Sequence, residues 1–178
     1  QLEVSSPELD FEVEPSSYKL TIEARDNGAG YLTDTATYTV YVEDARESPT
    51  ISPQTRSVTE NAPVDTPIGG VLNAFDQDLG SSVSFSISGG DDLGLFRVST
   101  DGQLYVKKAT LDFEAQASHA IQVTATDNTG LTDTATITIE VRDANEAPTF
   151  TSSSFSFSVA EDGGLNTVIG TAVATDVD

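Results

Sequence analysis

The side chains in this sequence with chemistry to offer are almost all carboxylates. Asp and Glu number 29 against 8 Lys and Arg, with a single His and no Cys. The acids are not spread evenly. They stand in short groups: Asp10 with Glu12, Asp76 with Asp78, Asp112 with Glu114, Asp143 with Glu146, and Asp176 with Asp178. Two chemistries suit such pairs. One is the acid and base work of a hydrolase, which needs two carboxyls in different environments. The other is cation binding: calcium takes six to eight oxygens at about 2.3–2.6 Å from carboxylates, Asn side chains and backbone carbonyls. Crowded carboxylates repel one another unless a divalent ion sits among them, so such a site assembles with its metal. A dyad such as Asp112 and Glu114 would leave the neighbouring acids unexplained, whereas a cation accounts for them as well. With one His, no Cys and no Ser near a plausible base, the chain reads as a non-enzyme.

The whole composition points the same way. A formal net charge of −21 on 178 residues is far from the modest imbalance that keeps an ordinary domain soluble. Self-repulsion of that size opposes a compact state, so the acids must be gathered around cations or the chain must be disordered. Disorder is excluded by the apolar content, 37% of residues, much of it Val, Ile, Phe and Tyr in alternating runs. A polyanion is also repelled by nucleic acid and by an anionic membrane surface, which removes both as partners. The lack of Cys rules out a disulfide framework. No apolar run reaches about 18 residues, so no insertion into a membrane by this segment is expected. The lack of Met, even at position 1, suggests a piece excised or processed from something longer.

The elements that must hold these acids repeat. Leu9-Asp10-Phe11-Glu12 returns as Leu111-Asp112-Phe113-Glu114, and Ala24-Arg25-Asp26-Asn27 returns as Ala125-Thr126-Asp127-Asn128. Val42-Glu43-Asp44-Ala45 returns as Val141-Arg142-Asp143-Ala144, while Val58-Thr59-Glu60 and Asp76-Gln77-Asp78 match Val159-Ala160-Glu161 and Asp176-Val177-Asp178. The period is about one hundred residues. It divides the chain into the back part of one unit (1–48), a whole unit (49–147) and the front part of a third (148–178). Inside a unit the apolar period is two, as in Tyr18, Leu20, Ile22 and Ala24 or Ala135, Ile137, Ile139 and Val141. Val83, Phe85, Ile87, Leu104 and Val106 supply further short strands between Gly and Asp clusters, and no window carries a helical period. About seven short strands per hundred residues predict an all-β fold of β-sandwiches. Strand alternation puts the acid groups at loops and strand ends, at the two poles of each sandwich.

Those residues together resemble the cadherin repeat. The resemblance rests on Glu60 in Val-Thr-Glu-Asn-Ala-Pro, the Asp76-x-Asp78 pair, the Leu-Asp-x-Glu motif of Asp112 and Glu114, the Ala-x-Asp loop of Ala125 and Asp127, and the linker Asp143, Asn145, Glu146, Pro148. It covers the whole chain, and motifs in the right order, many present twice, make it specific. It implies tandem Greek-key, immunoglobulin-like sandwiches arranged end to end, with calcium ligated at each junction from both neighbours. For the second junction it implies Glu60, Asp112, Glu114, Asp143, Asn145, Glu146 and the Ala147 carbonyl, with Asp176 and Asp178 from the third unit. For the first it implies Asp10, Glu12, Asp44 and Glu47, with Asp76, Asp78 and Asp127 from the whole unit. Asp26 and Glu161 would serve junctions further out.

The linkers depart from the family pattern. Glu47 and Glu146 replace an Asp, Ser48 and Ala147 replace an Asn whose backbone carbonyl is the expected donor, and Arg46 puts a positive charge where a neutral ligand is expected. The first junction should therefore bind fewer ions, or bind them more weakly. The linker style, rich in Thr with neither Cys nor Trp, looks more like bacterial than animal repeats. The implied role is a calcium-dependent adhesion and spacer segment at the cell surface, meeting another surface protein or glycan. Two rival readings are a calcium-dependent carbohydrate-binding module, disfavoured by 7% aromatics and no Trp, and a head-to-tail structural filament. His119 aligns with Tyr18 at a strand start and is expected to be a partly buried structural residue. Gly69, Gly70, Gly163 and Gly164 lack the strand, loop and helix context of a phosphate loop and read as turns or bulges.

Overall fold

The structure, a computed structural model, describes residues 2–5, 9–13 and 16–178. Every regular element among them is a strand. Ahead of residue 49 the chain forms one long antiparallel hairpin, β1 (Ser17–Arg25) and β2 (Thr33–Tyr41), with Ser17 opposite Tyr41 and Arg25 opposite Thr33.

The second unit carries β3 (Thr50–Ile51), β4 (Gln54–Thr59), β5 (Pro67–Ile68), β6 (Ala74–Phe75), β7 (Ser84–Gly89), β8 (Phe96–Val98), β9 (Leu104–Val106), β10 (Ser118–Thr126) and β11 (Thr132–Arg142). One sheet runs β4-β11-β10-β7 and the facing sheet β5-β9-β8, with the short β3-β6 pair beside it. The alternation seen in the sequence is the alternation of burial: Ile121, Val123 and Ala125 on β10 and Ala135, Ile137, Ile139 and Val141 on β11 point inward, while the Thr residues between them face out. Ile68, Leu104, Val106 and Phe96 close the core from the other sheet, so the architecture is the immunoglobulin-like sandwich.

Beyond β11, β12 (Thr149–Phe150) and β13 (Ala174–Thr175) form a short antiparallel pair, and residues 149–178 are exposed.

Two features lie outside the period-two pattern. The chain crosses between sheets after β3, and β4 then pairs with β11 in parallel, Val58 beside Val141. The strand opposite is interrupted between β5 and β6. There the Arg56 guanidinium donates to the carbonyls of Gly70 (2.9 Å) and Val71 (2.7 Å), and the Gln54 side chain bonds both the N–H and the carbonyl of Asn73. These side chains replace the missing ladder by giving the freed backbone groups hydrogen-bond partners.

The second feature is a bulge at Gln122 and Val123, where β10 shifts register against β7. Gly90 follows it with φ of +74°, and a Cβ there would stand 2.5 Å from the Ala120 carbonyl oxygen. Backbone strain and a clash with backbone act together, so Gly90→Ala should destabilise the unit by about 2–4 kcal/mol. Urea unfolding of the variant measures this directly. His119 behaves as expected from its alignment: half-buried, it meets Phe96 edge to face with centroids 5.3 Å apart. Burial pulls its imidazole below the usual range, against the opposing pull of Asp91.

Candidate metal centres at the unit junctions

The acids reach the poles because of how each local segment folds. Glu60 follows directly on β4 and is only 4% exposed. Its Oε2 accepts the Phe113 N–H at 2.7 Å and its Oε1 accepts the Ala144 N–H at 2.8 Å. One side chain thus ties the loop carrying Asp112 and Glu114 to the start of the linker. Asp112 turns its own loop by accepting the Ala115 N–H at 2.7 Å, and Asp10 does the same for Glu12 and Val13 in the first unit. These are Asx turns, in which a short acidic side chain bonds backbone a few residues on.

Three groups of carboxylates result, each offering oxygens that lie within 4.8 Å of one another: Glu12, Asp44, Glu47 and Asp78; Glu60, Asp112 and Glu114; and Glu114, Glu146 and Asp178. The first joins residues 12–47 to Asp78, the third joins residues 114–146 to Asp178, and Glu114 belongs to two groups. Asp178 also bonds across the second junction, its Oδ2 accepting the Glu146 N–H at 2.7 Å.

The remaining sequence candidates stand nearby in other roles. Asp76 accepts the Asp78 N–H at 3.0 Å, and Asp176 stands in the same relation to Asp178 at 3.5 Å. Asp143 lies close enough to Glu114 for its charge to be felt there. The Asn145 amide donates to the Glu146 carbonyl at 2.9 Å, and Ala147 is exposed in the linker. Asp127, 5% exposed, spends its oxygens on its own loop: they accept the N–H groups of Thr129 and Leu131 and the Thr129 hydroxyl, each at 2.8 Å. Among the described residues Arg46 is exposed and forms no ion pair. Asn61 was not singled out by sequence reasoning. It donates to Glu146 Oε1, and its place directly after Glu60 was the available signal.

The electrostatics are those of crowded like charges. Burial pushes the Glu12 carboxyl above the usual range, a backbone hydrogen bond opposes it, and Glu47 and Asp44 add to the rise. At Glu114 a bond from its own N–H lowers the value, but burial and the charges of Glu60, Asp143 and Asp178 outweigh it. Glu146 rises through burial, then the charge of Glu60 and its contacts with Asp178, with Asn61 opposing. Asp127 goes the other way: burial raises it, and the hydrogen bonds from Thr129, Leu131 and Gly130 bring it below the ordinary range.

Four carboxylate oxygens in these regions are buried with no hydrogen-bond partner: Glu47 Oε2, Asp76 Oδ2, Asp78 Oδ1 and Glu146 Oε2. An unpartnered buried polar atom costs about 1–3 kcal/mol, more when charged. Hard anionic oxygens left without donors are what a hard divalent cation would satisfy, so the residues present fit calcium.

An immunoglobulin-like sandwich with carboxylates gathered beside its two ends, in a sequence whose motifs recur about every hundred residues, defines a class of β-sandwich repeat modules. The chain belongs to the cadherin family: the family description "Cadherin domain" matches residues 54–142. Cadherin-8 of Homo sapiens is 34% identical over 99% of this chain and 24% of its own length. A structure of protocadherin gamma B7 extracellular cadherin domains 1-4 superposes with a TM-score of 0.69 at 28% identity, covering 96% of this chain and 42% of that one. Mouse cadherin-23 EC22-24 gives 0.65 at 28% identity, covering 96% and 56%. The chain spans about a quarter of the length of the curated relatives it matches. Cadherins are adhesion proteins and not enzymes, and their repeats lie outside the cell. Among the described residues no helix is long and apolar enough to cross a membrane.

Proposed function

We propose that this chain is a calcium-dependent adhesion and spacer segment, in which ions held between consecutive repeats stiffen an extracellular stalk. The observation that carries the reading is the set of buried carboxylate oxygens without partners where the units meet. The repeats divide at 48/49 and 147/148. At the first junction Glu12, Asp44, Glu47 and Asp78 would hold the ion, with Asp10, Asp76 and Asp127 around them. At the second Glu60, Asp112, Glu114, Glu146 and Asp178 would hold it, with Asp143, Asn145, the Ala147 carbonyl and Asp176 alongside. Calcium, when bound, supplies the positive charge that lets carboxylates of two units share one site. The protein's own contribution is to fix the donors. Glu60 locks the Asp112 loop to the linker, and Asp178 bonds the linker from the far side. Two units that share a charge-neutralised site lose their freedom to swing, and stiffness follows.

Arg46 leaves the first junction short of a neutral ligand and adds a cation near it, which argues for weaker binding there than at the second. The partner met by the stalk would be another surface protein or a glycan.

Small-angle X-ray scattering with calcium and with chelator tests the stiffening. The expected result is a single extended particle with calcium and a broadened distribution of shapes after chelation. Profiles that superpose in the two conditions would rule the stiffening out.

A further inference from the structure

The two copies of the Ala-x-Asp-Asn loop, one in the β1–β2 hairpin and one between β10 and β11, are built on the same turn but differ at the residue that follows the Asn. We propose that Asn27 is a site of spontaneous deamidation, converting with age to aspartate and isoaspartate, while its counterpart Asn128 is protected. In this reaction the backbone nitrogen of the following residue attacks the Asn side-chain carbonyl carbon. A new N–C bond forms, the C–N bond of the side-chain amide breaks, and ammonia leaves with the proton given up by the backbone nitrogen. Water then opens the cyclic imide at either carbonyl. No oxidant or reductant takes part, and water is the only co-reactant.

The shared part of the loop prepares the attacking atom. Gly28 N–H donates to Asp26 Oδ1 at 3.1 Å, and Thr129 N–H donates to Asp127 Oδ1 at 2.8 Å. A carboxylate at that place can accept the proton that the nitrogen must lose. What differs is access. Residue 28 is Gly, with no side chain to obstruct ring closure. Residue 129 is a β-branched Thr whose hydroxyl is tied to Asp127 Oδ2 at 2.8 Å. Asn128 is held as well, its Oδ1 accepting from the Ser81 hydroxyl at 3.2 Å, whereas among the described residues the Asn27 side chain has no hydrogen-bond partner, in a loop exposed throughout. The product would place a new carboxylate next to Asp26.

The whole chain is incubated at neutral to mildly alkaline pH and sampled over weeks, with peptide mass spectrometry reading the amide-to-acid conversion at each Asn. Isoaspartyl methyltransferase labelling reports the rearranged product. Conversion at Asn27 should exceed that at Asn128 by about tenfold or more, equivalent to about 1.4 kcal/mol of barrier. Gly28→Ala, whose Cβ would meet nothing closer than 3.5 Å, should slow Asn27 without disturbing the fold. Equal rates at the two Asn residues, an unreacted Asn27, or a Gly28→Ala chain that converts as fast as the parent would each overturn the proposal.

Discussion

Removing divalent ions is expected to lower the thermal unfolding midpoint of the chain by roughly 10 °C or more. A ligand that binds only the folded state adds about 2.7 kcal/mol at one hundred times its dissociation constant. For a unit of this size each kcal/mol moves the midpoint by about 4–8 °C. The effect should be large here because the metal-free clusters are unfavourable in themselves. Glu12, Glu114 and Glu146 each face like charges, and several buried oxygens in the clusters have no donor. Differential scanning calorimetry in calcium and then in chelator reads the shift, and return of the midpoint on adding calcium back would show the change to be reversible.

Glu60→Ala should be the most damaging substitution among the candidate ligands, and its cost should persist without metal. The carboxylate is buried and accepts two backbone N–H groups, from Phe113 and Ala144, that have no other acceptor among the described residues. Stranding two amide donors costs about 1–3 kcal/mol each, so a loss of about 2–5 kcal/mol is expected in urea unfolding carried out in chelator. Glu114→Ala makes the informative contrast. Its side chain is exposed and belongs to two acid groups, so in chelator it should leave stability nearly unchanged or slightly raised while weakening calcium binding. Similar losses for both variants in chelator would mean that Glu60 has no structural role of its own.

Much of this architecture could be read in the residues, for identifiable reasons. A sandwich strand exposes alternate residues to one core, so the run Ala135, Ile137, Ile139 and Val141 had to be a strand with its Thr residues outward. The period of about one hundred residues was visible because the same motifs return in the same order along the chain. The acid groups were expected from the resemblance of their motifs to the cadherin repeat, and Asp112 and Glu114 stand in a turn ahead of β10.

Other features depend on partners far away in sequence. The interruption between β5 and β6 is tolerated because Arg56 and Gln54, on a different strand, reach the freed backbone groups of Gly70, Val71 and Asn73. Nothing local in Gly69-Gly70-Val71 announces that. The parallel pairing of β4 with β11 likewise joins residues some eighty apart. Asp127 and Asp10 show the limit of motif reading in the site itself: the type and place of the residue were clear, but not that local N–H groups would occupy their oxygens. Glu60 carried the opposite surprise. A residue read only as a ligand is also the buried pin between two loops.

The most direct test is a calorimetric calcium titration of the metal-free chain, run beside the same titration of Glu114→Ala. Clear uptake by the wild type is expected, with loss of most second-junction binding in the variant. Absence of calcium uptake by the wild type would contradict the calcium-held junction and leave a row of cadherin sandwiches whose junctions are held by protein contacts alone.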